Sequence, residues 1–181
     1  KSVALKVRTG INRFNIKDET VKAIEEIVTQ YKVSYSDIAV LFPYKQHKLI
    51  KYYYLYWLEQ ALIDADIPYS LITSSLDGAF DRKRYSDTNG VVVSTIDSSL
   101  GLDFKAVIVA GLYPYNYIFG DNYYKKTITS WSAIKAMSDD DQSQVQSQMR
   151  AMYTACSRAR DILYVLSDLT PGSPMEEILQ K

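Results

Sequence analysis

Two apolar runs constrain this chain more than any other feature. Residues 91–96 (VVVSTI) and 105–111 (KAVIVAG) are nearly continuous in β-branched and small apolar side chains, without the polar alternation of a strand that has one wet face. Such strands are buried on both faces, which is the habit of parallel sheets covered by helices. Residues 38–42 (IAVLF), stopped by Pro43, and 161–167 (DILYVLS) read the same way. Residues 3–9 alternate loosely as a further strand, and 69–72 form a brief one after Pro68. Between these runs lie helical patterns. Asp18-Glu19-Thr20 opens one, with Val21, Ile24, Ile27 and Val28 on one face. A second, over about 46–65, carries Ile50, Tyr53, Tyr54, Trp57, Leu58, Ala61 and Leu62 inward, and a third, over 144–159, carries Val145, Met149, Met152, Cys156 and Ala159. Asp139, Asp140 and Asp141 read as a helix-initiating turn. Strands alternating with helices, not joined by tight hairpin turns, predict an α/β fold with a mainly parallel sheet flanked by helices. In such sheets ligands gather at the carboxyl ends of strands, which directs attention to the segments after Leu41, Ile96 and Gly111.

The length of 181 residues suits one domain over 1–170, with 171–181, opened by Pro171-Gly172-Ser173-Pro174, as a tail. Residues 73–90 read as a loop and 113–141 as irregular. Twenty-one basic and 21 acidic residues leave no net charge, so any nucleic-acid partner must be held by local patches. One Cys and one His exclude a disulfide framework and the multi-Cys or His-rich metal sites. Cys156 reads as a small core residue, and no metal site is expected. No apolar run approaches the ~20 residues of a membrane-spanning helix, and Lys1-Ser2-Val3 opens no signal peptide. The expectation is a cytoplasmic protein without a membrane partner, cut from a longer chain. Seven glycines, none within two residues of another, form neither G-x-x-x-x-G-K-[ST] nor G-x-G-x-x-G, so the segment cannot cradle a nucleoside triphosphate alone. Tyr52-Tyr53-Tyr54-Leu55-Tyr56-Trp57 concentrates five aromatics. They could form a base-stacking surface, but a core helix with phenol tips in water is the preferred reading.

Three segments in order carry a family resemblance. Residues 91–111, VVVSTIDSSLGLDFKAVIVAG, look like motif V of the UvrD/Rep-type superfamily 1 helicases, roughly S-T-I-H-S-x-K-G-L-E-F and then a strand. Residues 148–165, QMRAMYTACSRARDILYV, look like motif VI, roughly R-x-x-Y-V-A-L-T-R-A and then a strand. Residues 37–68, with IAVLFPYK leading into WLEQALIDADIPYSLI, resemble motif IV. The resemblance covers about residues 36–168 and is to the C-terminal, second RecA-like domain of that family. It implies a three-layer RecA-like (P-loop NTPase-like) fold. It also implies the role of a motor half in an ATP-dependent DNA helicase or translocase, inactive alone, with ATP and Mg²⁺ held by a missing N-terminal RecA-like domain.

The resemblance assigns residues. Arg158 matches the motif VI arginine that reaches the γ-phosphate, a task suited to an always-charged guanidinium. Read without the resemblance, a cation in a helix's last turn merely offsets the dipole. Asp103 matches the motif V acid near the ribose and phosphates; otherwise it is a solvated loop acid. Gly101, the third residue given to the ATP site, is expected to supply a backbone conformation closed to other residues. Thr95, Asp97 and Ser98 match positions lining the single-stranded DNA path, where hydroxyls and N–H groups can hold phosphates, although capping and turn chemistry would use the same residues. Arg150 and Arg160 read as surface residues or structural pairs. Three positions depart from the family. Asp97 replaces a His, Leu100 a Lys, and Pro43 stands where motif IV has an Arg, with Lys45 as a substitute cation. The large domain that many members insert between motifs IV and V is absent. These losses raise an alternative, a non-catalytic helicase-derived module that binds DNA or a protein. Basic clusters at Lys45, His47, Lys48 and Lys51, at Arg82, Lys83 and Arg84, and at Lys125 and Lys126 read mainly as solvated faces.

Overall fold

The computed structural model describes residues 2–43, 53–72, 89–112, 132 and 135–167. Six strands form one sheet: β1 (Ala4–Arg8), β2 (Ile38–Phe42), β3 (Tyr69–Ile72), β4 (Val91–Thr95), β5 (Phe104–Leu112) and β6 (Ala159–Ser167), in the order β1-β6-β5-β2-β4-β3. Every pairing is parallel, so the sheet is wholly parallel among the described residues. Helices α1 (Ile16–Gln30) and α2 (Tyr54–Asp64) cover one face, and α3 (Asp139–Ser157) covers the other. This is a three-layer α/β architecture with a parallel sheet flanked by helices, as the continuous apolar runs predict.

The side-chain period of two divides each central strand between two cores. Ile38, Val40 and Phe42 of β2 join Ile24 and Ile27 of α1 and Leu58 and Leu62 of α2. Ala39 and Leu41 of the same strand join Val107 and Val109 of β5 and Met152 and Ala155 of α3. Each buried Val, Leu or Ile contributes about 1.5–3 kcal/mol, so these two cores dominate any single polar contact. Tyr54 is wholly buried. Its hydroxyl pairs with Thr20 Oγ1 at 2.9 Å, and burial pushes its pKa up. The Asp139–Asp141 triplet does open a helix, α3, so the expected bounds of 144–159 are corrected to 139–157, and residues 139–141 belong to the helix and not to an irregular segment. Helix α1 begins at Ile16, two residues before the expected acids, because Asn12 builds the preceding turn: its Oδ1 accepts the Phe14 N–H at 2.9 Å. The expected span 46–53 of the second helix lies outside the described residues up to 52, as do the basic clusters, residues 113–131 and the tail; the domain boundary at 170/171 lies there too.

Two local constraints set the edges. At the β1 edge, Glu26 of α1 receives two hydrogen bonds from Arg8 Nη2, at 2.9 and 2.8 Å, and one from the Tyr164 hydroxyl at 2.9 Å. Burial alone would raise the Glu26 pKa, but those donors and the Lys6 ammonium at 3.9 Å outweigh it and hold the carboxyl below its ordinary value. At the β3 edge, Gly90 passes so close to the Pro68 backbone that an added Cβ would sit 2.6 Å from the Pro68 carbonyl. Val91 N–H donates to that same carbonyl at 2.8 Å, so the strand cannot back away.

Gly90→Ala is expected to lower unfolding free energy by about 1–3 kcal/mol in chemical denaturation, since the clash is with backbone, not with a side chain that can turn aside. Glu26→Gln is expected to cost about 1 kcal/mol at pH 7. A depressed carboxyl pKa contributes stability that is complete above the unfolded value and fades as pH falls through the folded one. The difference between the two proteins should therefore shrink on acidification below pH about 4 in parallel urea titrations.

Candidate functional site

All the assigned residues lie on two segments, the link between β4 and β5 and the turn between α3 and β6. The link is unusual. Parallel strands normally need a dozen or more residues to return, and here residues 96–103 pass from β4 across β2 to β5 in eight. A 3₁₀ turn over Asp97–Ser99 starts the return. Ile96 and Ser99 are buried, and Ile96 and Leu102 pack into the core on the α3 face, so the link itself serves as part of that layer. Gly101 has φ +79°, the left-handed region, with nothing within 4 Å of a notional Cβ. Its role is conformational, not steric, as expected.

The two ends of the link lie at opposite edges of the sheet. Thr95 pairs with Phe42, and Leu41 with Val109, so Thr95 stands level with Ala110. Phe104 lies six residues earlier on β5, about 20 Å away along the strand. Thr95, Asp97 and Ser98 are therefore at the carboxyl edge, where the sheet rule expects a ligand. Asp103 and Arg158 are not. Each directly precedes a strand, and Phe104 and Ala159 are paired, so both residues lie at the amino edge. The carboxyl-edge rule, which directs attention to the segments after Leu41, Ile96 and Gly111, therefore does not locate Arg158, and Asp103 lies at the far end of the segment after Ile96.

At the carboxyl edge, Thr95 Oγ1 donates to Ser98 Oγ at 2.8 Å and accepts the Ser98 N–H at 3.3 Å. Thr95 thus does perform turn chemistry. Because it spends its own proton on Ser98, the half-buried Ser98 hydroxyl keeps a proton of its own to donate. Ser94 and Ser99 hydroxyls are turned to the backbone, donating to the Thr95 carbonyl at 2.8 Å and the Ile96 carbonyl at 2.6 Å. Asp97 is exposed, and so is Leu100, 58% accessible. Pro43 is half-buried just beyond β2.

At the amino edge, α3 ends at Ser157, and Arg158 makes the turn into β6. Its N–H donates to the Ala155 carbonyl at 3.2 Å, and its own carbonyl accepts the Phe104 N–H at 2.8 Å. The guanidinium is half-buried and anchored: Nε donates to the Thr154 carbonyl at 3.2 Å, Nη1 to the Leu102 carbonyl at 3.3 Å, and Nη2 to Ser157 Oγ at 3.2 Å. A guanidinium has five N–H donors, so these bonds leave two. Asp103 is exposed beside the Leu102 carbonyl, and no ion pair joins it to Arg158. Arg150 and Arg160 are exposed. Cys156 is half-buried against the α3 core, where burial pushes its thiol up to about 11, far from a nucleophile's range.

Among the described residues no three His, Cys, Asp or Glu side chains cluster as metal ligands, and no helix is long and apolar enough to cross a membrane. No known family model matches the chain, and no curated protein sequence does. Among solved structures, the chain is similar to the C-terminal domain of a possible DNA helicase from Lactobacillus plantarum WCFS1, at 18% identity and a TM-score of 0.47, over 93% of this chain and 76% of that one. The functional assignment therefore rests on this chain's own residues.

Proposed function

We propose that this chain is the second motor domain of an ATP-dependent DNA helicase or translocase of the UvrD/Rep type. The observation that supports the reading best is the meeting of the two motif-like segments. The Arg158 guanidinium, at the end of the motif VI helix, bonds the Leu102 carbonyl beside Asp103 of motif V, 56 residues away in sequence. Asp103 and Arg158, which the resemblance gives to ATP, share the amino edge, and Thr95, Asp97 and Ser98, which it gives to DNA, share the carboxyl edge. Two candidate contacts joined by one short link, about 20 Å apart, suit a motor that converts phosphate contact into movement on a strand.

In this reading a neighbouring domain holds the triphosphate and Mg²⁺, because this chain has neither a phosphate loop nor, among the described residues, a carboxylate cluster. Arg158 adds a positive charge opposite the transferring phosphoryl group through its two remaining N–H donors, and Asp103 accepts from a ribose hydroxyl. No bond to the protein is made or broken. The bond from Nη1 to the Leu102 carbonyl ties the phosphate-sensing side chain to the link, whose other end carries Thr95 and Ser98. There, the Ser98 hydroxyl can meet a phosphate oxygen without reading sequence.

A second reading, a non-catalytic module, draws on the exposed Asp97, whose carboxylate opposes a phosphate backbone, and on the missing cations at Leu100 and Pro43. A phosphate loop in the residues that precede this segment in the full protein favours the motor; its absence favours the module. The kinetic test is Arg158→Ala in the full-length protein. DNA-stimulated ATP turnover is expected to fall by about 10³-fold or more, with the fold retained by circular dichroism. Turnover within about threefold of the unaltered protein contradicts the assignment.

A further inference from the structure

Of the acceptors that hold the Arg158 guanidinium, those of Thr154 and Leu102 are main-chain carbonyls, present whatever residue stands there. Only the Ser157 hydroxyl depends on the identity of a side chain. Ser157 is the last residue of α3 and is exposed. Its hydroxyl has a single proton, and that proton goes to the Thr154 carbonyl at 2.8 Å. The oxygen therefore meets Arg158 Nη2, at 3.2 Å, with a lone pair. The Thr154 carbonyl also accepts Arg158 Nε, at 3.2 Å. Two acceptors, themselves bonded to each other, thus face two nitrogens of one planar group. The helix end is tightened around them, since the Arg158 N–H goes to the Ala155 carbonyl three residues back.

Nη1 spends one N–H on Leu102 and Nη2 one on Ser157, so one N–H remains on each terminal nitrogen. Two N–H groups of one guanidinium can grip a phosphate bidentately, and such a grip depends on the plane of the group as well as its charge. Three bonds to three different nitrogens fix that plane. Two would leave a rotation about the line between them, and Ser157 supplies the third.

We infer that Ser157 is a positioning residue for Arg158: its oxygen, committed as an acceptor by the Thr154 carbonyl, fixes the plane in which the guanidinium meets the transferring phosphoryl group. The inference rests on the motor reading and concerns the orientation of the arginine, not its charge. A serine that merely closed the helix end would make the same bond to Thr154, but catalysis would be indifferent to its loss.

The experiment is DNA-stimulated release of radiolabelled phosphate from ATP by the full-length protein. It compares Ser157→Ala, Ser157→Thr, Arg158→Ala and the double variant Ser157→Ala/Arg158→Ala, with circular dichroism to check folding. Ser157→Ala is expected to lower kcat about five- to a hundredfold with KM for ATP within about twofold, because a misoriented group fails in the transition state more than in binding. Ser157→Thr keeps the hydroxyl at an exposed position and should restore kcat to within about threefold. In the Arg158→Ala background, with no guanidinium to orient, Ser157→Ala should cost less than about twofold. If Arg158→Ala lowers turnover by its expected factor while Ser157→Ala leaves kcat intact or changes KM alone, the positioning role is refuted and the motor reading stands. A loss that threonine does not restore, or one of equal size in the Arg158→Ala background, also refutes it, since the serine would then act through something other than the arginine. If Arg158→Ala itself leaves turnover unchanged, both readings fall.

Discussion

The central strands of this sheet are buried on both faces, and that constraint governs everything else. A parallel strand can be rejoined only by chain that crosses a face, so every connection must also serve as cover. Most connections meet the demand with a helix. The one between β4 and β5 does so with eight residues, which turn once, bury Ile96 and Ser99, and reach the far edge through a left-handed glycine. A segment so short, packed on one side and anchored at both ends, has little slack.

The anchors differ in kind. At the carboxyl edge they are hydroxyls and main chain: Thr95 to Ser98, and Ile96 to Phe42. At the amino edge an arginine side chain reaches from another element to the link's carbonyl. Arginine suits an anchor that must also answer to a ligand, because its fork can hold a carbonyl with one nitrogen and leave another free to face an anion. The same edge carries no compensating carboxylate within ion-pair distance of Arg158 among the described residues. The guanidinium is therefore held by neutral dipoles, and its charge is not offset by an ion pair there.

Much of this was legible in the sequence, for reasons that can be named. Strands β2, β4 and β5 fall within a residue of where their apolar runs place them, since burial on both faces writes a continuous signal, and the edge strand β3, buried at every second residue, starts just after Pro68 as expected. Strand β6 starts two residues before its apolar run, because the pairing of Ala159 with Phe104 is a main-chain event that side chains do not record. The aromatic run defeats any single reading: at 100° per residue Tyr54 and Tyr56 must face differently, and one is buried while the other is 62% exposed. The separation of the site between two edges was missed although its signal was present. Asp103 and Arg158 stand immediately before apolar runs, whereas the carboxyl-edge rule concerns residues that follow them.

The account turns on the link joining a nucleotide edge to a strand-binding edge. Photo-crosslinking of the full-length protein, once with azido-ATP and once with a photoreactive oligonucleotide, followed by peptide mapping, tests it most directly. The account predicts that the nucleotide labels residues 102–104 or 154–160 and the oligonucleotide labels residues 95–98. Nucleotide label at 95–98, or oligonucleotide label confined to the Arg158 edge, would contradict it.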